Sequence, residues 1–288
     1  MAPTRRADGV ASLARRALTE DRFRDDRTTR ALLPSAVPAE GVVTAQARGV
    51  LSGMAAVRAI ARAAHLEVRG ARRDGSPIAR GTVVVRLRGD ARGLLGVERT
   101  LLNFLMHASG VATETRRAVR AARGFPRRLA VYATRMTLPG LRDLEKAAVV
   151  HGGGHPHRRD LSSALLIKNN HLVFVPVAEA VRRGRRASPR GATIEVEVRT
   201  AREAIAAARA GADALLIDNA GPARSRAIVR ALDRASLRRG RTVELSGGIT
   251  PDRVGRYRAV GADLVSLGSL THSAPALPFH LRLRRITP

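Results

Sequence analysis

The chain has no cysteine and no tryptophan, and only 2% of its residues are aromatic. The first absence excludes disulfides, a thiol nucleophile and Cys-ligated metals, and it fits a reducing compartment. The second leaves a core of Leu, Val, Ile and Ala, for which 44% hydrophobic content over 288 residues is ample. It also removes most of the side chains on which unpaired bases stack. No apolar run approaches the roughly 18 residues needed to cross a bilayer, and no signal-type apolar segment opens the chain. A cytoplasmic protein with no membrane partner is expected. Lysine is nearly missing too: of 52 basic residues, only Lys146 and Lys168 are lysine.

The formal net charge of +28 raises the question of nucleic acid. The arginines, however, are spread in pairs along what read as polar helix faces, and no helix-turn-helix, zinc-finger or RNA-recognition signature is present. Arginine in place of lysine beside abundant alanine reads first as the codon bias of a GC-rich genome. Nucleic acid is therefore not the expected partner.

A chain this poor in lysine keeps one where an arginine will not serve. Arginine is a broad planar fork; lysine is a compact charge on a flexible stem. Lys168 follows the apolar run Leu165-Leu166-Ile167, downstream of Gly152-Gly153-Gly154-His155-Pro156-His157-Arg158. A glycine turn, a His-Arg pair and a strand-end lysine suit a small, strongly negative ligand.

From about residue 129, short apolar runs alternate with helical patterns, which predicts βα units around a parallel sheet. The runs are Leu129–Ala133, Ala164–Ile167, Thr193–Val198, Ala214–Ile217, Val243–Leu245 and Leu264–Leu267, with helices expected over Pro139–Val150, Thr200–Ala210 and Pro251–Val260. Gly211-Ala212-Asp213 and Gly261-Ala262-Asp263 are one helix-to-strand connector used twice. Each run hands over to polar or small residues: Thr134 and Arg135; Lys168; Glu197; Asp218 and Asn219; Ser246, Gly247 and Gly248; Gly268 and Ser269. In α/β barrels that face carries the active site. Ser246-Gly247-Gly248 and Gly268-Ser269 can cradle phosphate with backbone N–H groups. Glu197 and Asp218 beside a polyanion suggest ribose hydroxyls or Mg²⁺. The first 110 residues read instead as a separate α+β domain. It has strands near Gly41–Ala47, Leu66–Arg69 and Thr82–Arg88, and helices over Met54–Ala64 and Glu98–Gly110. Phe279–Leu283 alternates like a strand that returns to this domain, and Arg182–Arg190 reads as an exposed basic loop.

In sequence order, several of these motifs resemble the quinolinate phosphoribosyltransferase family. They are Glu20-Asp21 through Thr29, Glu98-Arg99-Thr100, Leu102–Leu105, Ser109–Thr113, Thr134–Gly140, Gly152–Arg158, Ile167–His171, Glu195–Val198, Leu216–Asn219, Ser246–Gly248 and Leu267–Ser273. The resemblance covers nearly the whole chain. It implies an α/β fold: an N-terminal α/β sandwich over 1–112, an open α/β barrel of fewer than eight strands over 113–271, and a C-terminal strand in 272–288 returning to the first domain. It implies a phosphoribosyltransferase of NAD biosynthesis that joins phosphoribosyl pyrophosphate to quinolinate with decarboxylation. Arg99 would come from the partner of a homodimer, which could assemble further. Thr134, Arg135, His157, Arg158 and Lys168 would line the quinolinate and pyrophosphate pocket. Glu197 and Asp218 would hold ribose and Mg²⁺ and, with Lys168, serve catalysis. Ser246, Gly247, Gly248, Gly268 and Ser269 would hold the 5-phosphate.

Two positions depart from the family pattern. Met136 stands where lysine is usual, and Asn169 where aspartate is usual. One cation and one anion are lost together, so the formal charge of the site is unchanged. Two alternatives to quinolinate transfer stay open: a paralogue that acts on another heterocycle, and a basic nucleic-acid-binding protein.

Overall fold

The computed structural model describes residues 4–124, 129–189 and 191–286, without the side chains of residues 4–8. Two compact units form: Met1–Arg116 with Thr137–Gly153 and Ser273–Pro288, and Arg117–Met136 with Gly154–His272. Residues 137–153, inside the barrel segment in the sequence reading, group with the first unit.

Along the chain the elements are α1 (Thr4–Glu20), α2 (Arg27–Leu32), β1 (Pro38–Ala45), β2 (Gly49–Val50), α3 (Met54–Ala63), β3 (Glu67–Arg69), β4 (Pro77–Ile78), β5 (Val83–Asp90) and α4 (Ala91–Ala122). They continue as β6 (Ala130–Tyr132), α5 (Arg142–Gly152), β7 (Leu165–Ile167), α6 (Asn169–Leu172), α7 (Val177–Ala187), β8 (Ile194–Val198), α8 (Ala201–Arg209) and β9 (Ala214–Asp218). The last are α9 (Pro222–Arg234), β10 (Thr242–Ser246), β11 (Leu264–Ser266), α10 (Ser269–His272) and β12 (Phe279–Arg285).

The first unit is built on an antiparallel sheet of order β12-β1-β5-β3. Strand β1 alternates in burial, as one-sided sheets do. β12 pairs along β1 from Ala39↔Arg285 to Ala45↔Phe279. Helix α1, which the sequence reading did not anticipate, packs on α3 and α5. In this unit the glycine run is structural. A Cβ on Gly152 would meet the Ala112 carbonyl at 2.6 Å, and Gly153 ends α5 at φ +92.

The second unit is a six-stranded sheet of order β6-β11-β10-β9-β8-β7, parallel throughout. On its outer edge β6 makes one further parallel bridge, Tyr132↔His155. The barrel is thus an open one with fewer than eight strands among the described residues. Strand β8 alternates: Ile194, Val196 and Val198 are wholly buried on the face over which α7 and α8 pack. Glu195 and Glu197 therefore point to the other face, the barrel interior. The repeated connector is a structural repeat. Gly211 and Gly261 take φ 96 and 92. Asp213 Oδ2 accepts the N–H of Ile194 at 2.8 Å, and Asp263 Oδ2 that of Val243 at 2.7 Å. Each aspartate also holds an arginine, Arg185 at 2.6 Å and Arg238 at 2.8 Å.

Two local expectations are corrected. The basic stretch from Arg182 is not a loop but the second half of α7, with Val181 and Gly184 buried and its arginines outward. Arg190 lies outside the described residues. Pro251–Val260 forms only a 3₁₀ turn at Val254–Tyr257.

Candidate active site

Paired residues of a parallel sheet share a face, so register lists what the barrel interior receives. One row is Glu197, Leu216, Glu244, Leu264 and Ala130. The next, toward the C-terminal ends, pairs Asp218 with Ser246, and Ser266 with Tyr132. Lys168 directly follows β7 and leads into α6, its side chain exposed and its N–H donating to His171 Nδ1 at 2.8 Å.

The strand-end carboxylates are only partly committed. Glu197 Oε2 accepts the N–H of Asn169 at 2.8 Å. Asp218 Oδ2 receives Arg199 at 3.4 Å and its Oδ1 the Asn219 amide at 3.3 Å. With the Asn169 amide oriented to satisfy both its atoms, its oxygen accepts from Arg199 Nε at 3.0 Å. Two oxygen donors on adjacent strands, with weak or single contacts, fit a hard cation.

Ser246-Gly247-Gly248 turns with φ 88 and 61 at the two glycines. A Cβ on Gly247 would lie 2.6 Å from the Asn219 nitrogen, so glycine is required there. Asn219 N–H closes the turn on the Ser246 carbonyl at 3.0 Å. At the neighbouring strand end, Gly268 packs its open face against Met136 Sδ and His272. Thr271 Oγ1 donates to the Met136 carbonyl at 2.6 Å, and Met136 N–H donates to Thr134 Oγ1 at 2.9 Å. Met136 as a residue is 58% exposed.

Arg158 is half-buried, and its guanidinium is held below its ordinary value by burial and then by the like charge of Arg135. Two cations pressed together favour an anion beside them. His157 sits at φ 56, stacked edge-on against Tyr132 with ring centres 5.9 Å apart. Both of its ring nitrogens are engaged within the protein: Nδ1 accepts the Arg158 N–H at 2.7 Å and Nε2 meets Glu244 at 3.3 Å. Beneath them, burial and the Glu244 carboxylate push Glu195 up to about 8, so it is largely the neutral acid at pH 7.

Twelve of the residues singled out from sequence thus lie in the second unit: Thr134, Arg135, His157, Arg158, Lys168, Glu197, Asp218, Ser246, Gly247, Gly248, Gly268 and Ser269. Arg99 lies in the first, on α4, lining a cavity of about 440 Å³ with Asn103, His107, Glu20 and Asp21. Sequence reasoning missed Glu195, Glu244, Ser266, Tyr132 and Arg199. The signal was present: an acid inside each of the apolar runs Ile194–Val198 and Thr242–Ser246.

The fold and site define an open α/β barrel with anion-binding features at its strand ends. Residues 26–109 match the N-terminal domain of quinolinate phosphoribosyl transferase, and residues 111–282 match its C-terminal domain. The chain belongs to this family. It is 40% identical to the probable carboxylating nicotinate-nucleotide pyrophosphorylase of Archaeoglobus fulgidus, covering 85% of this chain and 94% of that protein. It is 38% identical to the human carboxylating enzyme of that name, over 88% of this chain and 85% of that one. The solved structure of NadC from Streptococcus pyogenes superposes with a TM-score of 0.88 at 33% identity, covering 100% of this chain and 99% of that one. No helix among the described residues is long and apolar enough to cross a membrane.

Proposed function

We propose that this protein transfers the phosphoribosyl group of phosphoribosyl pyrophosphate to quinolinate, releasing pyrophosphate and CO₂ and forming nicotinate mononucleotide. The observation that carries this is the register that sets Lys168, Glu197, Asp218 and the Ser246 turn at successive strand ends of one parallel sheet, beside the crowded Arg135–Arg158 pair.

Arg135, Arg158 and Lys168 bind the carboxylates of the acceptor and the leaving pyrophosphate. Charge-assisted contacts of this kind are worth about 1.5–3 kcal/mol each. His157, its ring nitrogens engaged within the protein, orients Arg158. Glu197 and Asp218 hold the ribose hydroxyls and favour the positive charge that develops at C1. Their oxygen donor set fits Mg²⁺, which supplies neutralisation of pyrophosphate charge when bound with the substrate. The Ser246-Gly247-Gly248 and Gly268-Ser269 turns take the 5-phosphate. The pyridine nitrogen attacks C1 as its bond to pyrophosphate breaks. The ring, now cationic, accepts the electron pair of the adjacent C–CO₂ bond; CO₂ leaves and that carbon takes a proton. The protein acts in the cytoplasm as a homodimer in which Arg99 of one subunit serves the site of the other.

The decisive assay combines Mg²⁺, phosphoribosyl pyrophosphate and carboxyl-labelled quinolinate. Labelled CO₂ and nicotinate mononucleotide are expected, and both should vanish in Lys168→Ala. Turnover of phosphoribosyl pyrophosphate with a different heterocycle, but not with quinolinate, would favour the second reading. That reading rests on Met136 and Asn169: a neutral thioether faces Gly268, and an amide engages Arg199.

A further inference from the structure

One buried acid has no part in the chemistry above. Glu244 lies in β10 at 3% exposure, with a partner on each oxygen. Oε2 meets His157 Nε2 at 3.3 Å, and Oε1 accepts from Ser266 Oγ at 2.5 Å. The direction of each bond follows from proton count. His157 Nδ1 accepts the Arg158 N–H, so it carries no proton, and Nε2 carries the one donated to Glu244. Ser266 has one hydroxyl proton and gives it to the carboxylate. Its 3.0 Å contact with Ser246 Oγ is then made with the Ser246 proton.

Two of this carboxylate's contacts therefore run outward as arms, and its third neighbour is the Glu195 side chain. One arm runs through the imidazole to the backbone of Arg158; the other runs through a hydroxyl to Ser246, the first residue of the Ser-Gly-Gly turn. The first arm also holds His157 in the left-handed region, which non-glycine residues keep only where their surroundings fix them. We propose that Glu244 is a positioning residue that locks the acceptor-side arginine and the phosphate-side turn into one geometry. This rests on the phosphoribosyltransferase reading for what the two ends bind. A carboxylate suits the role because each of its oxygens can accept, one from each arm. Glutamine keeps the shape but offers an amide N–H to one arm, so the two arms can no longer run in the same sense.

The test uses Glu244→Gln and Ser266→Ala, each checked for an unchanged thermal unfolding profile. Glu244→Gln is expected to raise KM for quinolinate and for phosphoribosyl pyrophosphate together, by roughly ten- to a hundredfold. It should also shift the Nε2 and Nε2–H resonances of His157 in ¹⁵N-edited NMR, because the charged acceptor of that proton becomes a neutral amide. Ser266→Ala is expected to raise only KM for phosphoribosyl pyrophosphate, with the His157 signal unmoved. The proposal is overturned if Glu244→Gln leaves both KM values and the His157 Nε2 resonances as they were, or if Ser266→Ala shifts both KM values alike. Should the wild type not use quinolinate, that failure belongs to the assigned reaction. The hub is then judged on the His157 Nε2 resonances in Glu244→Gln and on the Kd for ribose 5-phosphate in Ser266→Ala.

Discussion

Gly247 has room for no side chain: it combines φ +88 with a Cβ position 2.6 Å from the Asn219 backbone nitrogen. Gly247→Ala should destabilise the protein by about 2 kcal/mol in urea unfolding. It should also weaken phosphoribosyl pyrophosphate binding at least tenfold by calorimetry, about 1.4 kcal/mol. Met136 is a separate case at this scale. Its sulfur sits at Gly268 beside His272, and lysine there would add a cation beside the anionic substrate. Met136→Lys should lower KM for quinolinate by about tenfold, one charge-assisted contact; an unchanged or higher KM would mean that Arg199 or another arginine already fills that role.

Among elements, the segment between Arg158 and β7 depends on one aspartate. Hydrogen bonds from Ser163 and then Ser162 hold Asp160 well below the usual carboxylate range, at about 2. The folded protein thus favours the ionised form. The ordering that Asp160 supplies is fully present above its ordinary value near 3.8 and is lost as pH falls toward about 2. Hydrogen exchange of residues 159–164 should therefore be faster in Asp160→Ala than in wild type at pH 6. The two should converge as pH approaches 2; a difference that persists there would refute the assignment. Helix α7 shows how an element can be misread. Its arginines suggested a loop, but Gly184 admits Leu165 closely, where an added Cβ would lie at 3.3 Å. That contact makes a packed helix of a stretch whose charge is only its outer face.

For the whole molecule, the dimer proposal makes a quantitative demand. A mixture of Arg99→Ala and Lys168→Ala chains, each inactive alone, should recover about a quarter of wild-type activity after subunit exchange. Half the dimers are then mixed, and one of their two sites is complete. No recovery, with exchange demonstrated by mass spectrometry, would mean that Arg99 acts within its own chain.

The second-unit strands and the residues at their ends were legible because each apolar run stops where a polar residue begins, and those boundaries are local. The Gly-Ala-Asp connectors were legible as a repeat for the same reason. Glu195 and Glu244 were not. In Ile194–Val198 the alternation of apolar and acidic residues fixes that two faces exist, but an exposed face and a barrel interior give the same pattern. Only assembly of the six strands into one helix-covered sheet turned that face inward. It desolvated Glu195, brought Glu244 between His157 and Ser266, and made a hydrogen-bonded hub of residues far apart in the chain. The sequence determined which side chains are available at each strand end; the tertiary structure decided which of them meet, because pairing register and burial are properties of the assembled sheet.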